Sequence, residues 1–212
     1  MDLEQLSNAV IAGNAPEAKA LTEAALADGV APAIIVNYGL IAAMGIVGER
    51  FSCGEIYVPE MLLSARAMQT ALSILEPLMA KADIVSRGTV VIGTVKGDVH
   101  DIGKNIVAIM LKGSGFTVHD LGVDVPAERF VEAIQEHRPD LIGLSALLTT
   151  TMPGMRTVIE AIDNAGVRDQ VKVIVGGAPI TEEFARSIGA DGYGRDAGEA
   201  AEQAKQLIQG AG

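Results

Sequence analysis

Tryptophan is missing from this 212-residue sequence, and aromatic residues of every kind make up only 3% of it. That scarcity leaves little material for base-stacking platforms or aromatic cages. A single cysteine, Cys53, excludes an internal disulfide and any zinc or iron–sulfur site built from cysteines. Positive charge is short as well. Sixteen Lys and Arg against 27 Asp and Glu leave a formal net charge of −11, which argues against nucleic acid and against anionic membrane surfaces as partners. Apolar runs are brief: the longest, "GLIAAMGIVG" (39–48), is half of the roughly 20 residues that a membrane span requires. The opening "MDLEQLSNAV" lacks the basic and long apolar regions of a signal peptide, so a cytoplasmic protein is expected.

Apolar material is nevertheless ample, at 49% of residues with 20% charged, and 212 residues accommodate two small domains comfortably. From Leu3 to about Lys81, apolar residues recur at spacings of three and four, as in Leu3, Leu6, Val10 and later Met61, Leu62, Ala65, Met68, Leu72. Pro16, Pro32 and Pro59 stand where first-turn prolines belong, and Gly13, Gly29 and Gly54 punctuate the gaps. This predicts a four-helix bundle. From Thr89 onward, short β-branched runs alternate with helical segments: "TVVIGTV", "FTVHDLG", "LIGLSA", "VKVIVGG" and the weaker "DGYG". They predict a five-strand parallel sheet with flanking helices, an α/β fold of the Rossmann-like, flavodoxin-like kind. The segment "KADIVSRG" (81–88) is the expected linker, dividing a helical domain at 1–85 from an α/β domain at 86–212. No internal repeat or low-complexity segment is present.

Open parallel sheets bind ligands beyond the carboxyl ends of their strands. There the sequence places "GDVHDIG", "LGVDVP", "SALLTTTMPG", "GGAP" and "YGRDAG", all carrying glycine or small hydroxyl residues. Glycine and serine are common in any turn, but five such edges together point to a large, flat ligand. The first of these loops is unusual. A strand-to-helix turn ordinarily favours an anion through its free N–H groups, whereas Asp98 and Asp101 would repel one. Gly97, Gly103 and Lys104 imitate a phosphate-binding loop and fail it, because five residues separate the glycines and Asn105 stands where a magnesium-binding hydroxyl belongs. A dinucleotide fingerprint is absent too. Taken alone, Asp98 and His100 describe a turn aspartate beside a loop histidine satisfied by backbone. A chelating zinc site is poorly supported, since only His119 and His137 remain and His137 lies in the polar stretch "QEHRPD", expected as a solvated connection.

Three elements taken together change that reading. Asp98-Val99-His100-Asp101-Ile102-Gly103, then Ser145-Ala146-Leu147, then Gly176-Gly177, resemble the D-x-H-x-x-G, S-x-L and G-G elements of cobalamin-binding domains in order and spacing. The chain resembles the corrinoid proteins of anaerobic methyltransferase systems and the cobalamin-binding module of methionine synthase. The stretch "VGERFSCGEIYVPEMLLSARAM" (47–68) is similar to that family's helical cap, so the resemblance spans nearly the whole sequence.

The resemblance implies that His100 is the lower axial ligand of cobalt, replacing the cofactor's benzimidazole, whose nucleotide tail would run into a slot beside the sheet. Asp98 would hydrogen-bond the distal nitrogen of His100, and Thr151 would complete the relay where methionine synthase uses serine. Gly103, Gly176 and Gly177 would let backbone approach the tail, Ser145 and Thr149 would offer it hydroxyls, and Gly97, Val99, Asp101, Ile102, Gly122, Leu147 and Ala197 would line the site. Phe51 and Val58 of the cap would stand over the upper face of cobalt. Implied with this are a cobalamin or related corrinoid cofactor and a methyl-carrier role between two partners. One methyltransferase would load the carrier from a methylated donor, and a second would unload it to tetrahydrofolate or coenzyme M. A reductive activator is also implied, with no turnover by this chain alone. Two rivals remain open, a cobalamin-dependent sensor or regulator and the small subunit of an adenosylcobalamin mutase.

Overall fold

A computed structural model describes residues 3–79 and 86–209. Of the expected linker, residues 81–85 lie outside the described residues, and the chain divides into two compact units between Ser86 and Arg87, with Gly113–Gly115 grouped with the first.

The first unit is helical: α1 (Leu3–Ile11), α2 (Ala15–Ala27), α3 (Pro32–Ile34), α4 (Ala42–Ser52) and α5 (Val58–Met79), with α3 running into α4 through a π-helical stretch, Ile35–Ile41. Pro16 and Pro32 occupy the first turns of their helices, where the missing N–H costs nothing. Asn14 caps α2, its side chain accepting the Glu17 N–H. Because the π-helical stretch joins α3 to α4 without a break, Pro32–Ser52 makes one 21-residue helix, long and apolar enough by length and composition to cross a membrane. That is twice the apolar run counted from the sequence. Its buried side chains, including Ile35, Leu40, Met44 and Val47, are those of a helix packed within the bundle. The buried stripe of α5 also differs from the expected one. Met61, Ser64, Ala67, Met68, Ala71 and Leu75 face inward while Leu62 is exposed. Ser64 is tolerated inside because its hydroxyl donates to the Ile11 carbonyl at 3.0 Å, and the small residues beside it let helices approach closely.

The second unit holds five parallel strands, β1 (Thr89–Thr94), β2 (Thr117–Asp120), β3 (Leu141–Ser145), β4 (Lys172–Gly176) and β5 (Gly192–Gly194), in the order β2-β1-β3-β4-β5. Interleaved with them are α6 (Ile102–Gly113), α7 (Ala127–His137), α8 (Pro153–Asn164), α9 (Glu182–Ser187) and α10 (Ala197–Gln209). Strand order reverses between β1 and β3, which makes their carboxyl ends the natural ligand position. One face of the sheet is a dense core, with Val91, Ile142, Leu144, Val173 and Val175 packed against Phe130, Ile134, Met155, Val158 and Ile162. The opposite face ends differently. Register pairs Thr94 with Ser145, Ser145 with Gly176 and Gly176 with Gly194, so a row of small residues crosses four strands at their carboxyl ends.

His137 is not in a solvated connection, as the sequence led us to expect. It ends α7 and stacks on His119 of β2, with ring centroids 3.9 Å apart and planes 11° from parallel.

Candidate cofactor site

The loop between β1 and α6 holds its chemistry around one carboxylate. Asp98 is fully buried, although nothing local would bury an aspartate. Its Oδ1 accepts the His100 backbone N–H at 3.0 Å and lies 2.8 Å from His100 Nδ1. Its Oδ2 accepts the Leu147 N–H at 2.8 Å, the Leu148 N–H at 3.3 Å and the Thr151 hydroxyl at 2.6 Å. Burial by itself would raise the carboxyl pKa. The bonds from Thr151, Leu147 and His100 outweigh it and hold Asp98 well below the usual carboxylate range. An ionised Asp98 requires Nδ1 of His100 to carry the proton, which leaves the lone pair on Nε2. The His100 side chain is 47% exposed, so Nε2 is available to a ligand.

The surroundings of that imidazole are apolar and open. Val99 is 69% and Ile102 75% exposed, and Val123, Leu147 and Leu148 are also large exposed hydrophobics. Such a patch at the end of a sheet signals a surface that something apolar covers. Gly103 has only open space where a Cβ would stand, as does Gly122. Ser145 is half-buried at the end of β3, within the row of small residues, and Thr149 is exposed in the turn beyond it. Asp101 is exposed and accepts from Asn105 Nδ2 at 3.1 Å. Ala197 is buried as the first residue of α10. Gly97 takes a φ of +84°, beside Thr151.

Gly177 needs to be glycine for another reason than the sequence implied. Its φ is +137°, and a Cβ there would fall 1.9 Å from the Ala146 carbonyl oxygen, so the protein's own backbone sets the requirement. Phe51 and Val58 belong to the helical unit, half-buried at the end of α4 and the start of α5. Three participants, Leu148, Lys104 and Asp124, escaped the sequence reading, and Leu147, expected to line the site, has a role that was not foreseen. Leu147 and Leu148 act through backbone N–H groups, which no residue type advertises. Lys104, almost fully buried, bonds Asn105 Oδ1 at 2.8 Å and also pairs with Asp120. Asp124 bonds the loop from the far side; its only sequence signal was its place in "LGVDVP".

These residues fit a metal that brings most of its own ligands. Among the described residues, no group of three or more His, Cys, Asp or Glu could hold an ion. An exposed imidazole whose Nδ1 is already engaged, on an apolar, glycine-lined surface, fits a group that needs one nitrogen ligand from the protein. Comparison with known proteins agrees. Residues 88–202 match a family described as "B12 binding domain", and residues 2–76 match a second family of the same description. Dimethylamine corrinoid protein 2 of Methanosarcina acetivorans is 46% identical over 209 residues, covering 98% of this chain and 96% of that protein. Trimethylamine corrinoid protein 1 of the same organism is 45% identical over 190 residues, covering 89% and 88%. The solved methanol:cobalamin methyltransferase complex of Methanosarcina barkeri matches at a TM-score of 0.87 and 32% identity, covering 98% of this chain and 80% of that one. B12-binding family matches over both halves and corrinoid relatives aligned over most of their length lead to one conclusion: the chain belongs to the B12-binding family and is a methyl-carrier corrinoid protein of anaerobic methyltransferase systems.

Proposed function

We propose that this carrier serves the breakdown of a small methylated amine, taking the methyl group from one methyltransferase and delivering it through a second to coenzyme M or tetrahydrofolate. The di- and trimethylamine corrinoid proteins among its relatives support the donor class. The methyltransferase complex that its fold matches supports a docked partner. A reductive activator, a cytoplasmic location, and the division into a cap at 1–85 and a cofactor domain at 86–212 belong to the same reading. So does the placement of Phe51 and Val58 over the methyl face.

One observation carries the chemical part. Asp98 accepts the Nδ1–H of His100 at 2.8 Å on one oxygen and the Thr151 hydroxyl at 2.6 Å on the other. When bound, the corrinoid supplies a cobalt centre that accepts a methyl group in its lowest oxidation state and yields it to a nucleophile. His100 would hold that centre through Nε2. Asp98 fixes the imidazole's tautomer and orientation, as carboxylates behind metal-bound histidines do. Thr151 shares the charge on Asp98 through its hydroxyl bond. Ser145, Gly103 and Gly176 would border the nucleotide tail.

The test is reconstitution with hydroxocobalamin and reduction to the two-valent state, using protein whose histidines carry the heavier nitrogen isotope. An equimolar corrinoid and a paramagnetic-resonance splitting that changes with the label are expected. His100→Ala should keep the corrinoid and lose that splitting. A wild-type splitting indifferent to the label would overturn His100 as ligand.

A further inference from the structure

The loop carrying Asp98 and His100 is gripped at three backbone groups by two residues outside the D-x-H motif. Thr94, the last residue of β1 and fully buried, donates from its hydroxyl to the His100 carbonyl at 3.0 Å. Asp124, in the turn after β2, accepts the Gly97 N–H on Oδ1 at 2.7 Å. Its own N–H donates to the Asp98 carbonyl at 2.9 Å. Asp124 does this at a φ of +53°, in the left-handed region that few residues other than glycine adopt. Backbone bonds tie the two together, because Thr94 N–H donates to the Gly122 carbonyl and Val125 N–H to the Thr94 carbonyl, each at 3.0 Å.

We propose that Thr94 and Asp124 form a clamp that fixes where the His100 imidazole points, making both positioning residues for the cobalt bond. This rests on His100 being the ligand. The imidazole itself has one side-chain bond, to Asp98 Oδ1, and the same oxygen takes the His100 backbone N–H. A rotation of the peptides from Gly97 to His100 would therefore break both bonds at once and swing Nε2 away. Thr94 holds the carbonyl end of that segment. Asp124 holds the Lys96–Gly97 peptide by its N–H and the Asp98–Val99 peptide by its carbonyl. Left-handed backbone at Asp124 turns both its N–H and its carboxylate toward the ligand loop, where they bond the Asp98 carbonyl and the Gly97 N–H.

Substitutions at both positions separate the hydrogen bonds from mere packing. Thr94→Val keeps the shape and removes the hydroxyl, whereas Thr94→Ser keeps the donor. Asp124→Gly keeps the backbone conformation and removes Oδ1, whereas Asp124→Asn keeps an acceptor. Two measurements on full-length protein with isotope-labelled histidine report the outcome. Nitrogen resonance of cofactor-free protein gives the ratio of Nδ1–H to Nε2–H tautomers of His100. Paramagnetic resonance of the two-valent, hydroxocobalamin-loaded protein gives the ratio of histidine-bound to histidine-free cobalt. Thr94→Val and Asp124→Gly should each lower both ratios about five-fold, the size of one lost hydrogen bond. Thr94→Ser and Asp124→Asn should restore them. If both ratios stay at wild-type values in Thr94→Val and Asp124→Gly, even with a lowered melting midpoint, there is no clamp. Should wild type show no histidine splitting, the ligand reading falls by itself, and an unchanged tautomer ratio then decides against the clamp. Should Thr94→Val fail to fold, the Asp124 pair decides.

Discussion

Asp98 shows how a motif letter becomes a physical device. The carboxylate is buried with five donor contacts, two from His100 and three from residues 49 to 53 positions away. Asp98→Asn cannot accept all of them, because the amide nitrogen must face at least one donor. We expect a loss of about 1–3 kcal/mol in denaturant unfolding at neutral pH, the cost of leaving a buried partner unsatisfied. The same bonds hold the native carboxyl pKa below its unfolded value near 3.8. That stabilisation is complete above this value and is lost as pH falls below it towards the folded pKa. The stability gap between wild type and Asp98→Asn should therefore narrow on acidification below about pH 4; a gap that widens there would show that the native carboxyl is not held ionised. The residue-scale lesson is that "DVH" was legible because its types are chemically loaded. The N–H groups of Leu147 and Leu148 were not, since every residue but proline has one.

Two elements, β2 and α7, meet through a pair of histidines. Burial lowers the pKa of His119, and the stacked His137 lowers it further by opposing a second positive charge. The unfolded chain takes up this proton first, so stability should fall as pH drops below about 6.5. His119→Gln should flatten the wild-type decline in melting midpoint between neutral pH and pH 5, and an equal decline in both proteins would count against it. At the end of β4, Gly177→Ala should cost about 3 kcal/mol through overpacking and left-handed strain, since its Cβ has the Ala146 carbonyl 1.9 Å away. Chemical denaturation would read that loss. An unchanged midpoint would mean that β3 and β4 can part without penalty. Helix and strand types were legible because periodicity is local. The buried stripe of α5 was not, because Ser64 becomes an inward residue only through the Ile11 carbonyl, 53 residues away.

At the scale of the molecule, each unit has buried residues of its own, Leu6, Leu40, Met44, Met61 and Leu75 in the helices and Val91, Phe130, Ile142 and Met155 in the α/β half. A fragment of 86–212 should accordingly fold, and it should retain corrinoid in near-equimolar amount after gel filtration. Loss of the cofactor from a folded fragment would show that the 1–85 helices are needed to hold it. The order of elements, the place where helices give way to strands and the D-x-H loop with its S-x-L and G-G companions were all determined by the sequence itself. Each follows from spacing, turn chemistry or residue type within a few positions. Tertiary structure alone decided the strand order that brings β1 beside β3. It also decided the capture of Asp98 by the Leu147 and Leu148 N–H groups, 49 and 50 residues away, and the left-handed Asp124 reaching across 27 residues to Gly97. Those depend on hydrogen bonds between segments distant in the chain, made largely by backbone groups that all residues share, so no pattern of side chains could announce them.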